Sequence, residues 1–237
     1  MNRTRYFQLM EGLDGNTSIR QYLRLDYLLQ LLKSRTYYVR RKRYFEDKRE
    51  SSLPLKSLFR LLPVGDTVNS SMDDDSLRSS LGKYSFYKAS GDYLTSCWTE
   101  RVGESALMWK NFVEDKGACI KTTINNFVAS FRDDNYEILC GRISYNGYNA
   151  EQTIMEALFS KDRAFSEEKE IRFYFAPRDR KVDISDNHAS IGVDPNVLID
   201  EIILSPYIEP LERERLEHEL NSNYKIKVSS SKIELNI

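Results

Sequence analysis

The run Glu170-Ile171-Arg172-Phe173-Tyr174-Phe175 sets the first constraint on the fold. If Glu170 opens a strand, successive side chains alternate between two faces. Ile171, Phe173 and Phe175 then share one face, which must be core, while Glu168, Glu170 and Arg172 stack on the opposite one. The plain reading of that second face is a solvated row of charges, which contributes little to stability. The functional reading is a carboxylate positioned to bind a ribose or to stabilise a developing cation. The neighbouring arginine would hold it ionised.

The rest of the chain supplies the partners such a strand needs. Further strands are predicted over 18–23, 36–40, 93–98, 118–122, 136–145, 201–204 and 225–228. Helices are predicted over 26–32, 105–114, 125–131, 152–160 and 209–221. In the first of these, Asp26 caps the amides, and Leu25, Leu28, Leu29 and Leu32 form one apolar stripe. Trp109 and Phe112, three apart, read as core aromatics, and Gly117 as the left-handed C-cap that follows them. Residues 65–91 are the least regular part and read as an exposed loop or a mobile lid. There is no internal repeat and no dividing linker. The expectation is a single α+β domain, with a central mixed or antiparallel sheet and several flanking helices.

Composition narrows the function classes. Across 237 residues, 35 Lys and Arg nearly balance 36 Asp and Glu, so no global positive field marks a nucleic-acid binder, although a local patch remains open. The three cysteines, Cys97, Cys119 and Cys140, form no C-x-x-C pair, and with His188 and His218 the only histidines neither a disulfide framework nor a zinc site is expected. No stretch approaches the ~18 apolar residues of a membrane span, and the first residues lack a signal-peptide core. A cytoplasmic protein with no membrane partner is the expectation. Walker A, G-x-G-x-x-G, H-E-x-x-H and G-x-S-x-G patterns are all missing.

Two other segments could carry chemistry. Arg40 to Arg43 are basic and interleaved with Tyr37, Tyr38 and Tyr44, a pattern that suits base stacking with phosphate contacts. Asp47 and Glu50 follow directly and are read first as surface charge, second as residues of a cleft. Cys97 has no histidine near it in sequence and is not read as a nucleophile.

Taken in order, these pieces resemble the bacterial family known as domain of unknown function 2971. Ile19 to Leu29 falls on that family's L-Y-K-Y-R-S-x-x-x-L-L, Phe45 to Glu50 on F-N-D-P-x-E, and Cys97 to Glu100 on S-L-S-E. Met108 to Phe112 falls on M-W-x-x-Y and Gly117 to Ile120 on G-V-C-I. Lys161, Phe165, Glu168, Glu170 and Arg172 fall on K-x-x-x-W-x-x-E-x-E-x-R, and Leu198 to Pro206 resembles a late family strand. The likeness runs over roughly residues 18–235. It departs at Leu23, where the family has arginine, at Glu46 and Lys48 in place of Asn and Pro, and at Phe165 in place of Trp.

The layout also resembles that of ADP-ribosyltransferases, whose late E-x-E glutamate binds the nicotinamide ribose and supports an oxocarbenium-like transition state. The resemblance implies Glu170 as the catalytic carboxylate with Glu168 assisting. It implies Tyr22 or Arg24 as NAD-binding residues, with Asp47 and Arg172 in the same pocket. NAD is then the cofactor, no metal is expected, and the acceptor is a macromolecule, protein or nucleic acid. Two alternatives stand beside it. One is a non-catalytic nucleic-acid or protein binding module using the Tyr37 to Tyr44 stretch. The other is a metal-dependent hydrolase or nuclease gathering Asp47, Glu50 and Glu168.

Overall fold

The computed structural model describes residues 7–41, 94–113, 116–146, 156, 158–178 and 187–233. The first strands are β1 (Phe7–Leu9), β2 (Ser18–Arg24) and β3 (Thr36–Arg41), with α1 (Leu25–Ser34) between the last two. Then come β4 (Leu94–Thr99), α2 (Ala106–Phe112), β5 (Gly117–Thr123), α3 (Ile124–Ala129) and β6 (Tyr136–Arg142). A 3-10 helix (Arg163–Glu168) leads into β7 (Glu170–Pro177) and β8 (His188–Gly192). The chain closes with α4 (Pro195–Leu198), β9 (Glu201–Leu204), α5 (Pro210–Tyr224) and β10 (Lys227–Ser230).

The fold is α+β, with a mixed sheet. Its strands run β1-β6-β7-β4-β2-β5-β9-β10, and β3 pairs with both β4 and β8. The β1/β6 and β9/β10 pairs are parallel and the others antiparallel. One face carries the main core. There Ile171, Phe173 and Phe175 meet Phe127 of α3, whose ring lies 4.5 Å from Phe173 and 4.9 Å from Trp98. Leu28, Leu31 and Leu32 of α1 and Leu216 and Leu220 of α5 join the same cluster. On the other face α2 packs Met108 and Trp109 onto Tyr22, Cys119 and Ile203.

Several local expectations are corrected. The N-cap of α1 is Arg24 rather than Asp26, which instead sits in the first turn, where it pairs with Arg24 and accepts from the Tyr27 amide. Leu29 points outward and Leu31 takes its place in the buried stripe. In α2, Trp109 is fully buried but Phe112 is 45% exposed, because α2 lays only one side on the sheet. The helix begins at Ala106, with Ser105 capping it by accepting from the Met108 amide. Strand β6 stops at Arg142, after which Ser144 makes a lone bridge to Ser160, and β10 starts two residues later than expected because Lys225 is the left-handed C-cap of α5. Glu114, Tyr93, most of 152–160 and the whole 65–91 segment lie outside the described residues.

Gly117 is not a helix cap. It opens β5, and a Cβ there would meet the Leu23 carbonyl oxygen at 2.4 Å and Val113 at 2.5 Å. The glycine is required by this close approach between β5 and β2, where Gly117 pairs with Arg24. Gly117→Ala should therefore cost about 1–3 kcal/mol through forced backbone displacement, read as a lower urea midpoint at unchanged m-value. An unchanged midpoint would show that the contact relaxes freely.

A candidate active-site cleft at a fork in the sheet

The edge of β4 away from β7 is shared by two strands. Thr99 pairs with Arg20 of β2, whereas Thr95 and Leu94 pair with Arg40 and Arg41 of β3. The strands β2 and β3 therefore diverge as they leave β4, and the sheet forks. Side chains close the floor of the fork. The Gln21 amide donates to the Cys97 carbonyl at 3.0 Å and accepts from the Tyr37 hydroxyl at 2.8 Å. Tyr37 and the Trp98 indole both reach Ser96 Oγ, at 2.6 and 2.9 Å.

A cleft of about 310 Å³ opens over this fork, a size at the low end of small-molecule sites. Arg20 and Tyr22 of β2, Tyr38 and Arg40 of β3, and Glu168 and Glu170 are among the residues that line it. Register places the charges. Arg20, Thr99 and Glu170 are cross-strand neighbours on three adjacent strands, and so share one sheet face. At about 4.8 Å per strand, their backbones stand roughly 10 Å apart, cation at one end and carboxylate at the other.

Glu170 is 3% exposed and Arg172 fully buried, so the supposedly solvated row is covered. Residues 158–168 return across it. Arg172 donates to Glu170 Oε1 at 2.7 Å, to the Leu158 carbonyl at 3.1 Å and to the Tyr174 hydroxyl at 3.3 Å. Lys161 Nζ bridges the two carboxylates, at 2.7 Å from Glu168 and 3.3 Å from Glu170, and lies over the Phe165 ring at 4.7 Å. The Tyr145 hydroxyl accepts from the Glu170 amide. Two cations and two anions thus share one buried site.

Glu168 does not lie on the strand with Glu170 and Arg172, as alternation predicts. It ends the 3-10 helix, and Lys169, in the left-handed region at φ 44°, turns the chain before β7 begins. Lys161, not strand geometry, brings the two glutamates together.

Burial pushes the Glu170 carboxyl above its ordinary range, while the Lys161 ammonium and the neighbouring Cys97 thiol pull it back down. Burial and then the Glu170 charge drive the Cys97 thiol well upward, so it stays protonated. Desolvation works against the Lys161 charge, but the Glu170 and Glu168 carboxylates outweigh it and hold the ammonium above its ordinary value. Its folded pKa being raised, the stability Lys161 contributes is complete below its ordinary 10.5 and is lost as pH climbs through the folded value. Lys161→Met removes the main group that holds Glu170 down. The expected result is a Glu170 carboxyl that takes its proton at a higher pH, read by carbon-detected titration of glutamate side chains. An unmoved Glu170 titration would show that Arg172 alone sets its charge.

Of the residues singled out in the sequence, Tyr22, Glu168 and Glu170 line the one cleft. Tyr22 is a wall, its ring edge-on to Trp109 at 4.8 Å and its hydroxyl accepting from the Ser105 amide. Arg24 does not reach this cleft but lines an adjoining lobe, exposed and paired with Asp26 at 3.2 Å. Arg172 lies beneath the cleft rather than in its lining. Asp47 and Glu50 lie outside the described residues, and among those described no group of three or more His, Cys, Asp or Glu gathers as metal ligands.

Arg20 is the residue that sequence reasoning passed over. It is 8% exposed and lines the cleft; one terminal nitrogen donates to the Arg101 carbonyl, but its Nε has no hydrogen-bond partner among the described residues. Thr95 Oγ1, also in the cleft lining, is a second buried polar atom with no partner among the described residues. Such atoms are rare in folded proteins, and each calls for an explanation. The usable signal was parity: Arg20 shares a strand face with Tyr22.

No family model, curated protein or solved structure matches the chain. No helix among the described residues is long and apolar enough to cross a membrane.

Proposed function

We propose that the chain is an ADP-ribosyltransferase-like protein that takes the nicotinamide–ribose end of NAD into the forked cleft. The observation that carries this reading is the buried Glu170 carboxylate at one end of a cross-strand row whose other end is Arg20. Bound NAD would supply an activated glycosidic bond with a neutral leaving group. The residues present fit that role. Glu170, fixed by Arg172 and Lys161, offers negative charge in a desolvated setting where positive charge on a ribose would otherwise be costly.

Arg20 suits the anionic part of the ligand, since its Nε has no hydrogen-bond partner among the described residues. Tyr38 and Phe112 give the cleft aromatic walls for a flat heterocycle. The volume admits the nicotinamide half of the dinucleotide rather than all of it. The resemblance to domain of unknown function 2971 points to Tyr22, Glu168 and Glu170, which line this cleft.

The test is incubation of the full chain with NAD, alone and with single-stranded oligonucleotide or a protein mixture as acceptor, following free nicotinamide. Release above the uncatalysed rate supports the reading. No release under any of the three conditions sinks it.

A further inference from the structure

Beside the cleft lies a second lobe of about 350 Å³, and the two share the walls Tyr22, Tyr38, Arg40 and Phe112. The lobe's chemistry differs sharply from that of the first. Both carboxylates of the first cleft are missing from it, and no Asp or Glu lines it among the described residues. Its cations are Arg24 and Arg40, and Arg40 has no ion-pair partner among the described residues. Its aromatic rings are unusually open: Tyr27 is 57% exposed, Tyr38 48% and Phe112 45%. The Tyr38 ring is held in place by His188, stacked on it at 4.2 Å and 19°.

We propose that this lobe binds an unpaired base of a single-stranded nucleic acid, the macromolecular acceptor that the reading above calls for. Exposed rings flanked by arginines, without carboxylates, match a base with its phosphates on both counts: the rings stack on the base and the guanidinium groups meet the backbone. A basic protein side chain would face Arg24 and Arg40, and the lining holds no carboxylate to receive it, the nearby Asp26 being already engaged by Arg24. A base inside a duplex does not reach a recess at the fork of a sheet, so the fit is to a single strand or a flipped base. With a net charge of -1 on the whole chain, the attraction is local and rests on few phosphates.

The experiment is fluorescence anisotropy of labelled single-stranded DNA and RNA 12-mers with the full chain, without NAD, at several salt concentrations, with duplex DNA as competitor. Binding of either single strand, poorly competed by duplex, is the expected result, and the DNA and RNA arms identify the source. Tyr38→Ala and Phe112→Ala should each weaken binding about fivefold or more, the lower end of what losing a stacking ring does. Arg40→Gln should lower the slope of log K against log salt by about 0.7, one phosphate contact on a single strand. All three side chains are exposed, and an unchanged melting temperature certifies the fold. Absence of binding at low salt, binding indifferent to all three substitutions, or equal competition by duplex overturns the proposal; so does nicotinamide release that rises with the protein mixture and not with the oligonucleotide. Because no turnover is needed, oligonucleotide binding without nicotinamide release would defeat the enzyme reading and leave this one standing.

Discussion

Arg172→Ala should lower the stability of the folded chain by about 3–5 kcal/mol, the usual cost of stranding a buried charge. Arg172 is fully buried and its partner Glu170 nearly so, so little solvent screening discounts the pair. With Arg172 present, its charge and that of Lys161 balance Glu168 and Glu170. Without it one carboxylate is in excess, and the Leu158 carbonyl and Tyr174 hydroxyl lose a donor. The removed side chain also leaves a cavity beneath β7, which adds to the loss. For a chain of this size each kcal/mol moves the melting temperature by about 2–4 °C, so a drop of roughly 6–20 °C is expected. Arg172→Lys should fall between parent and alanine, since an ammonium keeps the charge but cannot fork to three acceptors. Replacing Arg172 and Glu170 together by methionine should recover part of the loss, because the stranded charge goes with its partner. Urea unfolding of the four proteins decides it; an alanine variant within about 1 kcal/mol of the parent would mean that water or a neighbour compensates.

That cost explains what the sequence could and could not disclose. The strand was legible because Ile171, Phe173 and Phe175 alternate, and their burial under Phe127 follows. The state of its other face was not. Alternation reports which side chains share a face, not whether another segment lies across it, and here residues 158–168 do. The 3-10 helix in that segment has no apolar period to announce it. The short β1 and β8 were equally hidden, since each is an edge addition whose existence depends on β6 and β3 being in place. Gly117 was visible as a special glycine but assigned to the wrong cause, because a cap and a close strand approach look alike from one residue.

The site was half legible. Glu168, Glu170 and Tyr22 were readable as a group only through the resemblance, since Glu168 precedes β7 and is brought to Glu170 by Lys161. The fork between β2 and β3 was not readable, because it arises from two strands competing for one edge of β4, a choice made by tertiary contacts. Only the fork separates Arg20, which faces Glu170 across the cleft, from Arg24, which belongs to the neighbouring lobe.

The second large effect expected is on chemistry. On the proposed NAD-cleaving reading, Glu170→Gln should reduce nicotinamide release by about 10²–10³-fold, the range seen when one preorganised electrostatic group is neutralised at a reacting centre. The amide oxygen can still accept from Arg172 Nε, so shape and one hydrogen bond survive. The charge does not, and the amide nitrogen turns a donor toward Lys161. A stability loss of about 1–3 kcal/mol is expected with it, so the melting temperature is measured beside the rate. Rates are compared only well below the melting temperature of the variant. Two companions separate catalysis from folding. Glu168→Gln sits at the other end of the Lys161 bridge and should cost about tenfold, less than Glu170→Gln, because its carboxylate acts through placement of Lys161. Glu170→Asp keeps the charge but withdraws it by one methylene, so it should retain more activity than the glutamine variant while being no more stable. If the charge of Glu170 is what matters, the loss falls on kcat and KM barely moves, since neutralising it removes stabilisation realised only as positive charge develops. A folded Glu170→Gln protein that releases nicotinamide within a few-fold of the parent would leave Glu170 as the anchor of Arg172 and nothing more.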